Sequence, residues 1–291
     1  MVKRKPEELG EVATSKGRGE EDESSDDDMD MLDVDFEFFD PQPDVDFHGL
    51  KSLCRQLFDL DAQLFDLSAL VDLILSQPTL GSTVKCDGNE SDPFAFLTVL
   101  NLHQHRDKPI IQTIIKYLSS KASKVPNMSG LLDSTGSSSR HEVGLILTER
   151  LINMPAEIVP PMYNMLMEEV EWANQDNEPY TFSHYLILSK TYKEVESKLD
   201  AEETRSSKKM KKSKAVGDNT FYFHPEDETL HKYAMAYGNF DYTSVPDEGR
   251  PDSKRTFNDL GIVPQGHLIL IERSKFEEAV KAVSQYLQPQ A

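Results

Sequence analysis

The spacing of apolar and polar residues changes period along the chain, and each change marks an element. Val34-Asp35-Phe36-Glu37-Phe38 alternates apolar with acidic positions, the period of a strand with one face buried. Leu50, Leu53, Cys54, Leu57 and Phe58 then recur at three- and four-residue steps, which predicts an amphipathic helix. Asp66 is placed to cap a second helix that buries Leu67, Leu70, Val71, Ile74 and Leu75 and stops before Pro78. Thr83–Cys86 and Phe94–His103 read as strands. A third helix has Pro109 in its first turn, where a missing N–H does no harm, and turns Ile110, Ile111, Ile114, Ile115 and Leu118 inward. Ser129–Arg140 reads as a Gly/Ser-rich loop.

The unbroken apolar run Val143–Leu147 suits a central strand. A helix entered through Pro160-Pro161 follows, with Met162, Met165, Leu166 and Val170 at helical spacing. Tyr180–Thr191, Thr220–His224, His231–Tyr242 and His267–Glu272 read as further strands. Ser274 and Glu277 have the spacing of a capping box ahead of a last helix with Phe276, Val280, Val283 and Leu287 inward. Strands outnumber helices, no regular βαβ alternation is visible, and short links favour antiparallel pairing. The fold class is therefore α+β, one domain over residues 33–289.

Charge divides the chain more sharply than hydropathy does. The 291 residues carry 31 Lys+Arg against 51 Asp+Glu, a formal net charge of −20. From Glu20 to Asp46 there are fourteen acids and no Lys or Arg, and the first part of that run has almost nothing apolar to bury. Residues 1–32 therefore read as a disordered acidic arm, with Asp26, Asp27, Asp28 and Asp30 as candidate contacts for a basic client. Such an arm raises encounter rates through long-range attraction. Ser24 and Ser25 each have an Asp three residues on, which makes them phosphorylation candidates. A second break, at about 197–218, reads as a disordered loop inserted between two strands. Its run Arg205–Lys214 has six cations and no acid, and Lys208, Lys209, Lys211, Lys212 and Lys214 form a candidate nuclear import signal for an import receptor.

The classes that charge and composition disfavour are equally informative. A chain this acidic is not expected to bind nucleic acid directly through its overall charge, because phosphate neutralisation needs Lys and Arg. No apolar stretch approaches the ~18 residues of a membrane span, so no membrane association is expected. Met1-Val2-Lys3-Arg4-Lys5 leads into charge rather than an apolar core, so no secretory signal is expected. Cys54 and Cys86, the only two cysteines, make neither a disulfide framework nor a four-Cys zinc site.

Catalytic signatures are sparse. The phosphate-loop, dinucleotide-binding, nucleophile-elbow and His-Glu-x-x-His patterns do not occur. His103 and His105 sit two apart on an expected strand, a polar strand end rather than a metal site. His224 and His231 flank Pro225-Glu226-Asp227-Glu228, which reads as an acidic turn and not as a site. Neither catalytic residues nor a cofactor are expected. The strongest binding candidate in the folded part is the acidic cluster Glu168, Glu169 and Glu171 beside Trp172, the single tryptophan, since Trp is favoured at interface hot spots.

Several segments in order resemble the BCCIP family of eukaryotic nuclear proteins. They are Val34-Asp-Phe-Glu-Phe-Phe39, Val99-Leu-Asn-Leu102, Val143-Gly-Leu-Ile-Leu-Thr-Glu-Arg150, Pro161-Met-Tyr163, Leu186-Ile-Leu-Ser-Lys190 and Phe240-Asp-Tyr242. The resemblance implies a mixed, largely antiparallel twisted sheet flanked by helices, similar to the GCN-five-related acetyltransferases but without an accepted activity. It also implies a non-enzymatic chaperone that escorts a basic large-subunit ribosomal protein (the universal "L fourteen" type) for 60S ribosome assembly, shuttling between nucleus and cytoplasm. A lipid kinase as export cargo is implied as well, as are cell-cycle and DNA-repair adaptor roles in animal members. The rival expectation is an acyl-CoA-dependent acetyltransferase. The pyrophosphate turn that such enzymes place ahead of a helix is Glycine-rich, whereas this chain has Thr148-Glu-Arg-Leu-Ile-Asn-Met-Pro155.

Overall fold

The computed structural model describes residues 35–77, 79–125, 128, 142–194, 220–244 and 261–288. The acidic arm before Asp35, the loop 129–141, the Lys-rich insertion and the segment 245–260 lie outside the described residues. A short strand β1 (Glu37–Phe39) leads into helix α1 (Pro43–Phe58), a 3-10 turn (Asp59–Leu64) and α2 (Leu67–Leu75). Strands β2 (Ser82–Lys85) and β3 (Ala95–Asn101) precede α3 (Pro109–Ala122). Then come β4 (Val143–Arg150), α4 (Val159–Gln175) and β5 (His184–Glu194). The remaining elements are β6 (Thr220–Tyr222), α5 (Glu226–Leu230), β7 (Ala236–Phe240), β8 (Ile262–Glu272) and α6 (Arg273–Tyr286).

The strands form one mixed sheet in the order β1-β2-β3-β4-β5-β8-β7, with β6 also paired to β5. Every pairing is antiparallel except β4 with β5. That exception has a local cause: α4 carries the chain back across the sheet, making one βαβ unit where no such alternation is expected from the sequence. Side-chain alternation sends the two faces to separate cores. Phe96, Leu100, Leu145, Leu147, Leu186, Leu188, Leu268 and Leu270 pack with the apolar faces of α1, α2 and α3. Their neighbours Leu97, Val99, Ile146, Tyr185, Ile187, Ile269 and Ile271 pack with α4, α5 and α6. The result is a sheet between two helical layers.

Local chemistry explains several boundaries. The Asp66 carboxylate accepts the N–H groups of Ser68 and Ala69 at 3.1 Å each and caps α2, a contact worth about 1 kcal/mol. Pro109 opens α3, and Ile110, Ile111, Ile114 and Leu118 are buried. Three expectations need correction. No strand runs through His231–Tyr242: His231–Tyr233 is a 3-10 turn and only Ala236–Phe240 pairs with β8. Ser274 and Glu277 make no capping box. The Ser274 hydroxyl donates to Glu272, Glu277 pairs with Lys281, and Glu272 itself stands at the helix entry. Among the fourteen acids of the acidic run, Asp46 is fully buried, in an ion pair of 2.7 Å with Lys85.

Candidate functional site

Helix α4 shows how one turn of backbone sorts neighbouring carboxylates. Its buried stripe is Met162, Tyr163, Leu166, Glu169, Val170 and Ala173. Glu168, Glu171 and Trp172 fall at positions i, i+3 and i+4 on the opposite side and are all exposed, Trp172 by 58 %. They form an acidic, aromatic-bearing face on a helix pinned to the sheet by its other side. Glu169 is a correction to the predicted cluster. Only 6 % exposed, it accepts the Gly81 N–H at 2.8 Å and lies 3.5 Å from the Ser82 hydroxyl. Burial pushes its pKa up, and the Gly81 N–H works against that. Gly81 holds a φ of +112°, a backbone conformation that aims its N–H at Glu169 and that glycine adopts most readily. Met162 and Met154 are core residues.

A second, unforeseen group of charges lies where β4 and β5 part. Their parallel pairing covers Val143–Leu147 against His184–Leu188 and ends there. β4 continues beside β3 to Arg150, while β6 takes over the β5 edge at Thr191–Lys193. Within the divergence, Glu149 pairs with Lys190 at 2.5 Å. Gln56 of α1 donates to Glu149 at 3.2 Å and to the Arg150 carbonyl at 2.9 Å, and its own carbonyl accepts from Lys190. The Arg150 fork grips both oxygens of Glu226 at 2.6 and 3.1 Å. Asp227 accepts the Ser189 hydroxyl at 2.6 Å.

This corrects the reading of Pro225–Glu228 as an acidic turn between strands. The segment starts α5, and Glu226 and Asp227 are 3 % and 2 % exposed. Burial, joined by the Glu226 charge, holds the Asp227 pKa well above the usual carboxylate range. Burial also raises Glu149, opposed by Lys190. His224 stands 3.6 Å from Glu149 and 3.8 Å from Glu226, yet burial and the cations Arg150 and Lys190 hold its pKa well below the ordinary imidazole value. It is therefore neutral near pH 7. The charges are spent on one another, so the group works as a knot that locks β6 and α5 into the divergence. The sequence offers no signal for it, because Arg150 and Glu226 are 76 residues apart.

The remaining predicted residues divide plainly. His103 and His105 lie in the turn after β3 rather than on the strand. Among the described residues no group of three or more His, Cys, Asp or Glu is arranged to hold a metal ion. Cys54 is buried on α1, and desolvation pushes its thiol up to about 12, so it is a packing residue. The stretch Thr148–Pro155 has no glycine, and its Arg150 is committed to Glu226, so it lacks the features of a pyrophosphate cradle. Ser24, Ser25, Asp26, Asp27, Asp28, Asp30, Lys208, Lys209, Lys211, Lys212 and Lys214 lie outside the described residues.

The chain belongs to the BCCIP family, whose family model matches residues 31–230. Among its curated relatives is a protein named bcp1 from Aspergillus fumigatus, 62 % identical over 260 residues, covering 89 % of this chain and 88 % of the relative. The bcp1 protein of Schizosaccharomyces pombe is 49 % identical over 254 residues, covering 86 % and 88 %. The crystal structure of BCP1 from Saccharomyces cerevisiae superposes with a TM-score of 0.61 at 25 % identity, covering 92 % of this chain and 97 % of that one. The names these relatives carry are not enzyme names.

Proposed function

We propose that this chain is a non-enzymatic acidic escort for a basic ribosomal protein of the large subunit, the universal "L fourteen" type that the family resemblance implies. The observation that carries the reading is the sorting of acids on α4. Glu168 and Glu171 stand exposed beside Trp172, while the acids at the β4–β5 divergence neutralise partners within the fold. With a net charge of −20, the chain draws in a cationic client over a Debye length of roughly 8 Å at physiological salt, and a Trp anchor supplies contact area once the client arrives. Asp26, Asp27, Asp28 and Asp30 add to that attraction.

In this reading the Lys208–Lys214 run is the import signal, the protein shuttles between nucleus and cytoplasm, and a lipid kinase is a second, export cargo. The sheet between its two helical layers serves as a scaffold without chemistry, and saturable acetyl-CoA binding in calorimetry would overturn that part. The principal test is affinity capture of the endogenous protein at two salt concentrations, read by mass spectrometry. One stoichiometric large-subunit ribosomal protein, free of rRNA and weakened by salt, is the expected result. Many ribosomal proteins with rRNA, or no basic partner, would contradict it.

A further inference from the structure

The sheet ends at β1, and among the described residues no strand pairs with its outer edge. An open edge is a template for a further strand, and native chains blunt such edges with short strands and charged side chains. β1 is short, and its charges are all of one sign. Asp35, Glu37 and Asp40 are exposed along it, and none has a cationic partner among the described residues. Glu37 stands opposite Lys85 in register, but that ammonium is already spent. It is buried, paired with Asp46 at 2.7 Å, and donates to the Asn89 carbonyl at 2.6 Å.

The same sign continues on both sides of the edge. Asp35–Leu50, Gly81–Phe94 and Val159–Gln175 supply β1, β2, their flanking turns and α4, and Lys85 is the only Lys or Arg in all three stretches. Asp87, just past β2, is exposed at one end. At the other end Asp40 follows Phe39, which pairs with Thr83 next to Ser82 and Gly81, the residues that hold Glu169. The Asp40 charge adds to burial in raising the Glu169 pKa. The edge of β1 therefore adjoins α4, whose exposed face carries Glu168, Glu171 and Trp172.

The two faces of β1 decide what an added strand would carry. Phe36 and Phe38 lie two residues apart and pack, half-buried, against the core beneath α4. Glu37 and Phe39 turn to the other face, where the Phe39 ring centroid is 5.6 Å from the Lys85 ammonium. A guest strand with Lys or Arg at alternate positions would set cations against Glu37 and apolar side chains beside Phe36 and Phe38. A second copy of this chain pairing through β1 would instead bring Glu37 and its neighbours against like charge.

We propose that the outer edge of β1 takes an extended basic segment of the client as an added strand, one in which Lys or Arg alternates with apolar residues. This mode of engagement rests on the escort reading and deepens it. Backbone hydrogen bonds at β1 supply affinity, and the charge contacts run on from there to α4.

The test is fluorescence anisotropy of the full chain with a labelled peptide of about eight residues alternating Lys and Val, titrated at about 50 and 300 mM salt. Saturable, salt-weakened binding is expected, reduced about tenfold or more by Glu37→Lys with Asp40→Lys. Glu277→Lys with Glu278→Lys, the same change of net charge at exposed positions of α6, should bind within about twofold of the wild type. Strand addition uses one edge of the peptide, so N-methylation of alternate residues separates it from plain charge attraction. Methyl groups on one set should abolish binding, and on the other set leave it nearly unchanged. A parent peptide that does not bind, or two N-methylated forms that bind alike, would overturn the edge. So would undiminished capture of the client by Glu37→Lys with Asp40→Lys, which leaves the escort reading intact. A wild type that captures no basic protein fails the escort reading itself, and the client assigned to this edge falls with it.

Discussion

Two groups of acids in this molecule look alike in sequence and differ in every physical respect. Glu168 and Glu171 stand in water on α4, one helix face away from the core. Glu149, Glu226 and Asp227 are 1 %, 3 % and 2 % exposed, and they are tied to Lys190, Arg150 and Ser189. The first pair is free to meet a partner; the second group holds the divergence of β4 and β5 closed. Glu169 sits between the two cases. It is adjacent in sequence to Glu168, yet its carboxylate belongs to Gly81 and Ser82. A net charge of −20 therefore overstates the charge available for recognition.

The sharpest way to break this comparison is to strip one partner from the buried group. Lys190→Met leaves Glu149 uncompensated and should lower stability by about 3–5 kcal/mol in denaturant unfolding. A loss under about 1 kcal/mol would place Glu149 with the solvated acids. Next in size is Glu169→Ala, which removes the acceptor from the Gly81 N–H and should cost about 1–3 kcal/mol, with Glu169→Gln recovering much of it. Thermal melting of the two variants reads the difference directly.

A smaller effect depends on pH and lies at the far edge of the sheet. The His267 Nδ1 contacts Asn239 Oδ1 at 2.5 Å, and its Nε2 meets His231 Nε2 at 2.8 Å. Both contacts are satisfied when His267 donates to Asn239 and accepts from His231. Burial lowers His231 to about 4, and burial with the His231 neighbour lowers His267 to about 3. The unfolded chain takes up these protons near pH 6.5 while the folded one does not. Stability contributed here is therefore present above pH 6.5 and lost as pH falls towards 4. His231→Asn with His267→Gln should melt lower at pH 7.5 but lose less on acidification to pH 4. An unchanged slope would remove the pair from the pH response.

The smallest effect on stability is expected on the exposed face. Glu168→Gln, Glu171→Gln and Trp172→Ala should each shift unfolding by no more than about 0.5 kcal/mol, because nothing in the core depends on them.

What the sequence shows of this molecule follows from the range of the forces involved. The Asp66 cap, the Pro109 entry and the Val143 strand were legible because cap, proline and apolar run act within a few residues of themselves. The Pro225–Glu228 segment was not. Its residue types read as a turn in sequence, and the partner that pairs with Glu226 is Arg150, on a strand distant in the chain. Ser274 and Glu277 show the converse: spacing alone permits a capping box, but their side chains find other partners, Glu272 and Lys281. The α4 site was legible in its residue types and needed the helix phase to separate Glu169 from Glu168 and Glu171.

The central claim, that the solvated acids and Trp172 capture a basic client, is tested most directly by stopped-flow association with the purified client at low and physiological salt. The combined Glu168→Gln, Glu171→Gln and Trp172→Ala variant should associate more slowly and with a flatter salt dependence than the wild type, while Glu169→Gln associates normally. An unchanged rate and slope in the combined variant, or a loss confined to Glu169→Gln, would contradict it.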